Sequence, residues 1–404
     1  MTTPTVQGSR FIGLDVHKDY VVLGAVNAEQ QVVVRPHRLS FAEFELWIQQ
    51  HLLATDAVVL EATCNAWQLY DQLAPHAAAV TVANPLLVKW IASARVKTDP
   101  QDTLKLAHLL AAGLIPAVWV PPEAVRQLRA LVAQRRRLIQ QRTRLRNRVQ
   151  ALLQRHNLVP PTGDLFAAAQ RPWWEQLALG PLEKILATQD LHMLDALEPL
   201  LAQVEQALCQ QSVQDPWAAH VPYLLQLTGV GVLTAMTLLA AIGDITRFPH
   251  SAQLVSYAGL GVGVHDSGQT HHTGSITKQG RRDLRAALIE AAWVAVEHNP
   301  HWKAEYARLA KRVGPQKAIV AVARKLLVVV WHVWHDREVD RYQEATALAR
   351  KLMTWAEQGG RAMRQGQTAV QFVRQQLDRL GVGQDLTELH YGSHVYKLPP
   401  SAAA

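Results

Sequence analysis

Cysteine is nearly absent: Cys64 and Cys209 are the only two in 404 residues, far apart and in unlike contexts. They give no disulfide framework and no zinc-ligand spacing, so a reducing cytosol is the expected compartment. The opening MTTPTVQGSRF lacks the apolar core of a secretory leader. Long uninterrupted apolar runs are missing too. The most apolar stretch, Lys317 to Trp334, is broken by Arg324 and Lys325 and reads as a buried helix. A soluble protein with no membrane partner is expected. Acidic charge is scarce: 41 lysines and arginines outnumber 33 aspartates and glutamates, giving a formal charge of +8. That balance favours a polyanionic partner over an acidic protein surface.

What is present is enough apolar surface, 49% of residues, for substantial cores, in a chain long enough for two or three domains. Four segments are expected. Residues 8–115 alternate strand and helix signals: RFIGLDVH, YVVLGAVN and QVVVRPHRL read as strands. A helix from Phe41 to Leu53, the strand AVVLEA, a helix near 65–73, the strand AAVTVA and further helix to about 112 follow. Three strands and then alternating helices and strands predict a mixed sheet with helices on its faces. Residues 116–213 read as a basic coiled-coil stalk, 214–345 as a mainly helical domain, and 346–404 as a polar, Gln-rich helical tail.

Asp15 ends the first strand signal and Glu61 ends AVVLEA, while Asp99 and Asp102 open a helix in KTDPQDTLKLA, three apart on one face. Taken singly, each has an ordinary reading. Asp99 before Pro100 looks like a helix cap, Asp102 like a first-turn acid, and Asp15 like a strand-end turn residue. Glu61 at the end of an apolar strand is harder to explain that way, because it should point into a crevice above the sheet. Brought together, the four would repel unless cations held them, and two magnesium ions in such a cluster suit phosphoryl displacement.

Between Glu123 and Asn157 stand ten arginines and one acid, Glu123. Leu131, Leu138, Leu145 and Leu152 recur every seven residues, and a second helix carries Leu194, Leu197, Leu201, Val204 and Leu208. A long antiparallel hairpin or an oligomeric stalk fits both. A solvated flank is the usual meaning of a charge run. The single sign nevertheless favours backbone contacts to nucleic acid by Arg135, Arg136, Arg137, Arg142, Arg144, Arg146 and Arg148. Such contacts would read charge and shape rather than base sequence.

Farther on, Thr228-Gly229-Val230-Gly231 separates two apolar helical patterns. It looks like a helix-hairpin-helix element, in which Gly229 and Gly231 would expose backbone N–H groups to a phosphate, although a plain tight turn fits equally well. A loop rich in Gly, His, Ser and Thr follows, in SYAGLGVGVHDSGQTHHTGSITKQGRRDLRAAL. A serine there is ordinarily turn chemistry, and His265, His271 and His272 read as polar loop residues or DNA contacts. Lys278, Arg281, Arg282 and Arg285 could supply charge to a phosphate.

The phrases GLDVHK, VVLEAT and KTDPQDTLKLA resemble the DEDD module of the insertion-sequence 110 family of transposases, which is RNase H-like (RuvC-like). SYAGL, SG, ITK and the LR phrase resemble that family's C-terminal domain. The resemblance covers about residues 10–115 and 220–335, and the stalk lies where the family has its coiled coil. It implies a metal tetrad of Asp15, Glu61, Asp99 and Asp102, with Mg2+ as cofactor. Lys97 and Thr98 belong to the same phrase and would contact phosphate or pack the helix start. The resemblance also implies a catalytic serine at Ser267, before Gly268, with Ser275 as its rival. Two words differ: Gly261-Val262-Gly263 stands where a proline is common, and Arg281 stands where asparagine is usual.

The expectation is therefore a DNA transposase, a multidomain α/β plus all-α protein. Family analogy gives a 5′-phosphoserine link to DNA, a site composed from two protomers, and a dimer that pairs into a tetramer on double-stranded element ends and target. It also gives an element-encoded noncoding (bridge) RNA as guide, and a nucleoid-associated location when the protein is on DNA. The rivals are a RuvC-like nuclease that hydrolyses branched DNA, in which Ser267 is dispensable, and a nucleic-acid-binding scaffold without catalysis.

Overall fold

A computed structural model describes residues 9–91, 98–267 and 270–402; at 264–267, 270–273 and 362–363 it describes the backbone alone. Lys97 lies outside the described residues. The chain divides into two compact units, 1–121 and 122–404.

The first unit is a five-stranded mixed sheet with helices on both faces. Its strands are β1 (Phe11–Val16), β2 (Tyr20–Val26), β3 (Val32–Ser40), β4 (Ala57–Glu61) and β5 (Ala79–Ala83). Its helices are α1 (Phe41–His51), α2 (Ala66–Leu73), α3 (Pro85–Ile91) and α4 (Asp99–Ala111). The order is β3-β2-β1-β4-β5, with β1 antiparallel to β2, β2 to β3, and β1, β4 and β5 parallel. Short loops permit the antiparallel meander, whereas the parallel strands need the helical crossovers that the sequence supplies.

The pleat sorts the side chains into two cores. Ile12 and Leu14 of β1 and Val58 and Leu60 of β4 join Phe44, Ile48, Leu69 and Leu73 of α1 and α2. Phe11 of β1 and Ala57 and Val59 of β4 join Leu106, Leu109 and Leu110 of α4. Ser40 starts α1 with a capping box: its hydroxyl accepts from Glu43 N–H, and the Glu43 carboxylate accepts from Ser40 N–H at 2.7 Å.

In the second unit α5 (Glu123–Arg155) and α7 (Pro181–Gln211) form a long antiparallel hairpin, with α6 (Arg171–Gln176) in the connection. Ion pairs Arg135–Glu205, Arg142–Glu198 and Arg148–Asp190 fix its register. Leu138, Leu145 and Leu152 of the heptad are buried, and Leu131 is half-buried. The helical body then comprises α8 (Val221–Leu225), α9 (Val232–Ile242), α10 (Ser251–Tyr257), α11 (Arg282–His298), α12 (Pro300–Val313) and α13 (Pro315–Trp331). Between α10 and α11 the chain forms the antiparallel hairpin β6 (Val262–Ser267) and β7 (Thr270–Ile276), where the sequence suggested a loop.

The C-terminal segment is α14 (Ala345–Met363), α15 (Ala369–Leu380) and the hairpin β8 (Glu388–Tyr391) and β9 (His394–Lys397). The tail is thus helical only in part, and Leu389 and Leu398 are buried rather than loose. The stretch 315–336 is long and apolar enough to cross a membrane by length and composition, but 56% of its apolar 18-residue window is buried inside the protein. It serves as a core helix, as the sequence suggested.

Candidate functional site

The pleat also places the acids of the first unit. Phe11 and Gly13 alternate with Ile12 and Leu14, so Asp15 projects on the α4 face of the sheet. On β4 the same alternation puts Glu61 on that face, and Leu14 pairs with Leu60, so the two acids occupy the next position on neighbouring parallel strands. Gly13 lets α4 come close: a Cβ there would lie 2.0 Å from the Thr103 carbonyl oxygen. Thr103, Leu106 and Leu110 face the sheet, which turns the first-turn acids Asp99 and Asp102 toward the same edge.

Asp15, Asp99 and an imidazole meet there. One ligand atom each of Asp15, His17 and Asp99 lies within 4.8 Å of the others. His17 Nε2 is 3.3 Å from Oδ2 of both aspartates. Its ring stacks on Tyr20 at 4.4 Å, and the Tyr20 hydroxyl donates to Asp99 Oδ2 at 3.2 Å. Burial pushes the Asp15 carboxyl up from the ordinary aspartate value; the charges of Asp99 and Asp102 push the same way, while His17 opposes them. A half-buried carboxylate set with one imidazole, strained by its own repulsion, fits a divalent cation. The sequence reading quoted GLDVHK but passed over His17. The signal was available, because the second residue after Asp15 shares its face of an extended strand.

In the second unit, Ser267 is the last residue of β6 and pairs with Thr270. Its side chain and those of His265, His271 and His272 lie outside the described ones. The base of this hairpin is held by backbone contacts. Thr277 N–H donates to Gly261 O at 2.8 Å, Lys278 N–H to Gly259 O at 3.2 Å, and Arg281 N–H to Tyr257 O at 3.0 Å. Gly259 has φ +67°, and a Cβ on it would meet Gln279 O at 2.2 Å. Lys278 itself is left-handed at φ 55°, a conformation that non-glycine residues seldom adopt. Ser275 lies on β7, exposed, three positions before that turn. Arg281 binds Asp283 through Nε at 3.0 Å and Nη2 at 2.5 Å, Arg282 is exposed, and Arg285 Nη1 donates to Ala258 O at 2.8 Å.

The turn between α8 and α9 contains Gly229 and Gly231. Gly229 has φ +86°, and its missing Cβ would sit 2.1 Å from the Ala291 carbonyl of α11, so helix packing alone demands glycine there. Gly231 precedes the uncapped N-terminus of α9 and has open space where a Cβ would be. A feature absent from the sequence reading secures this turn: Lys351 Nζ donates to the carbonyls of Leu225, Leu227 and Val230 at 2.6–3.1 Å. Burial lowers the Lys351 pKa to about 8.

Several stalk arginines have partners that the sequence did not show, because the acids stand on the other helix. Arg135, Arg142, Arg146 and Arg148 pair with Glu205, Glu198 and Asp190 of α7. Each pair is at least partly exposed, so the charges hold the hairpin's register while remaining at the surface. Arg136, Arg137 and Arg144 lie on the same helix, with Arg137 bonded to Gln134.

Comparisons with known proteins agree with both units. Residues 12–158 match the DEDD model of IS110 elements, described as Transposase, and residues 221–307 match the model described as Transposase IS116/IS110/IS902 family. The two matches together cover more than half of the chain. The pilin gene-inverting protein of Moraxella bovis is 29% identical over 80% of this chain and 95% of its own length. The transposase for insertion sequence element IS1111A of Coxiella burnetii is 27% identical over 82% of this chain and 91% of its own. The chain belongs to the IS110 family of transposases and is a DNA transposase/recombinase.

Proposed function

We propose that this transposase cuts and rejoins DNA through Ser267, assisted by Mg2+ at Asp15, Glu61, Asp99 and Asp102. The observation that carries the proposal is the convergence of β1, β4 and the first turn of α4, which sets Asp15 against Asp99 and holds its carboxyl in a repulsive field. The strand order supports an RNase H-like (RuvC-like) reading of this unit. Residues 214–345 act as the serine-bearing domain. Mg2+ supplies charge neutralisation for a phosphoryl transfer. The protein positions that charge: the strands fix two acids, α4 fixes two more, and Tyr20 and His17 orient Asp99.

In the cutting step the Ser267 hydroxyl oxygen attacks the phosphorus, and the bond from phosphorus to the 3′-oxygen breaks. Ser267 gives up its proton, the 3′-oxygen gains one, and a 5′-phosphoserine link remains. Attack by another 3′-hydroxyl reverses the step and rejoins the strand. The phosphodiester count is unchanged, so no external energy source is needed. Gly231 at the start of α9, Lys278, Arg281, Arg282 and the stalk arginines would contact nucleic-acid backbone. An element-encoded guide RNA, a homo-oligomer on DNA and a cytoplasmic location complete the reading.

The test traps covalent intermediates: protein, Mg2+, duplex carrying the element's ends and the element's flanking transcript are mixed and denatured. A protein–DNA adduct is expected, absent from both Ser267→Ala and Asp102→Ala. Free cleaved ends unaffected by loss of Ser267 would mean a hydrolytic nuclease. DNA binding without metal-dependent cleavage would mean a scaffold.

A further inference from the structure

The chain's excess positive charge is concentrated in one place. Between Lys303 and Lys325 stand seven lysines and arginines and one acid, Glu305, a net of +6 where the whole chain carries +8. The stretch is most of α12, the Gly314 turn and the first part of α13. The stalk is as rich in arginine, but its neighbour α7 carries five acids, and Glu205, Glu198 and Asp190 among them pair with α5. Here Glu305 alone accepts, from Arg308 Nη2 at 2.7 Å and Lys325 Nζ at 3.0 Å. The hydrogen bond from Arg308, and then Lys325, holds its carboxyl down at about 2. Lys311, Arg312, Lys317 and Arg324 are exposed, and among the described residues their side chains have no ion pair or hydrogen bond. Glu290 and Glu297 stand on α11, which packs against both helices, and pair with none of the four.

Helix periodicity gathers these cations. Ala318, Ile319, Val322 and Ala323 turn into the core, which leaves Lys317 and Arg324, seven apart, on the outer stripe of α13. On α12, Arg308, Lys311 and Arg312 share a face at spacings of three and four. Glu305 ties the Arg308 turn of α12 to the Lys325 turn of α13, and Gly314, at φ +82°, joins the other ends. Cations therefore line both helices of an antiparallel pair. At about 1.5 Å per residue, Lys317 and Arg324 stand about 10 Å apart along α13. That is about three of the ~3.4 Å steps at which phosphates of one strand recur along a duplex. No aromatic residue occurs from Lys311 to Lys325, so the row offers unpaired bases nothing to stack on. Point charges without a stacking platform suit the backbone of a duplex, the partner of a DNA transposase.

We propose that the α12–α13 pair is a docking surface for the phosphate backbone of duplex DNA, carried by Lys311, Arg312, Lys317 and Arg324. The contact holds DNA by charge, whatever its base sequence, and takes no part in the chemistry. The proposal stands whether or not Ser267 is the nucleophile, so its test uses the full chain without Mg2+, where only binding is read.

Binding of a fluorescent DNA duplex is measured against salt. Lys317→Gln with Arg324→Gln is expected to lower the slope of log affinity against log salt by about two and weaken binding roughly thirtyfold near physiological salt. Lys317→Arg with Arg324→Lys, which keeps both charges, keeps the slope. Lys184→Gln with Lys397→Gln, the same charge change at exposed lysines of α7 and β9, leaves the slope as it was. An equal fall in both glutamine pairs would mean a net-charge effect and overturn the proposal. So would an unchanged slope in Lys317→Gln with Arg324→Gln, or a fall seen with duplex RNA and not with duplex DNA.

Discussion

In the first unit the acids proposed to hold the cation stand on a five-stranded sheet and the helix packed on it, whereas in the second the proposed nucleophile ends a strand of a two-stranded hairpin. Asp15 and Glu61 leave adjacent strands of a five-stranded sheet, and Asp99 and Asp102 come from a helix seated on that sheet by Gly13. Ser267 ends β6, paired with β7, and among the described residues the base of this hairpin is tied down by backbone bonds at Gly259, Gly261 and Tyr257. The difference suits the two jobs. A cation site needs oxygens fixed to within fractions of an ångström, while the serine proposed to join and release DNA is served by a hairpin anchored at its base.

Substitutions can break this comparison from either side. Ser267→Ala removes the proposed nucleophile and is expected to abolish the DNA adduct, a loss of at least about a thousandfold in strand cleavage. Binding of duplex DNA should survive, as a filter or anisotropy assay would show. Next in size are the two glycines that allow close backbone approach. Gly13→Ala would force α4 from β1, costing about 3 kcal/mol and disturbing the acids, because its Cβ meets Thr103 O at 2.0 Å. Gly259→Ala would strain a left-handed residue against Gln279 O. Denaturant unfolding with Mn2+ titration separates them: Gly13→Ala should weaken cation binding, and Gly259→Ala should leave it intact.

Smaller effects come from two half-buried bases in the second unit. Trp334 Nε1 and Arg337 Nη2 both approach His220 Nδ1, at 3.1 Å each. Only a neutral imidazole can accept there. Burial first, and then the charge of Arg337, lowers the His220 pKa to about 4. Between pH 4 and 6.5 the unfolded chain binds the extra proton, so stability is complete above 6.5 and falls as pH drops toward 4. After allowance for solvent screening the loss is about 1–2 kcal/mol. Urea midpoints across that range should fall less steeply in His220→Gln.

Lys351 follows the same sign on the alkaline side. Its folded pKa of about 8 lies below the unfolded value of 10.5, so stability rises as pH climbs between them. A midpoint that declines smoothly over that interval would show that Lys351 keeps its proton.

The acids of the first unit were legible because periods of 2 and 3.6 assign faces directly: AVVLE and DPQD tell where Glu61 and Asp99 point. His17 was equally local and was simply passed over. The arginine partners were not legible, since the register that opposes Arg148 to Asp190, 42 positions on, depends on how two helices meet. The hairpin β6 and β7 was hidden by its glycines and histidines, although Val262, Val264, Thr273 and Ile276 carry strand propensity. The hairpin β8 and β9 had a clearer mark: ELHY and HVYK are separated by the two-residue turn Gly392-Ser393.

The most direct measurement is the attachment point itself. Protein is trapped on DNA with Mg2+, both polymers are digested, and the peptide bearing a nucleotide is fragmented in a mass spectrometer. The account predicts a 5′-phosphoryl nucleotide on Ser267. A nucleotide on Ser275 or any other residue, or abundant cleavage with no modified peptide, would contradict it.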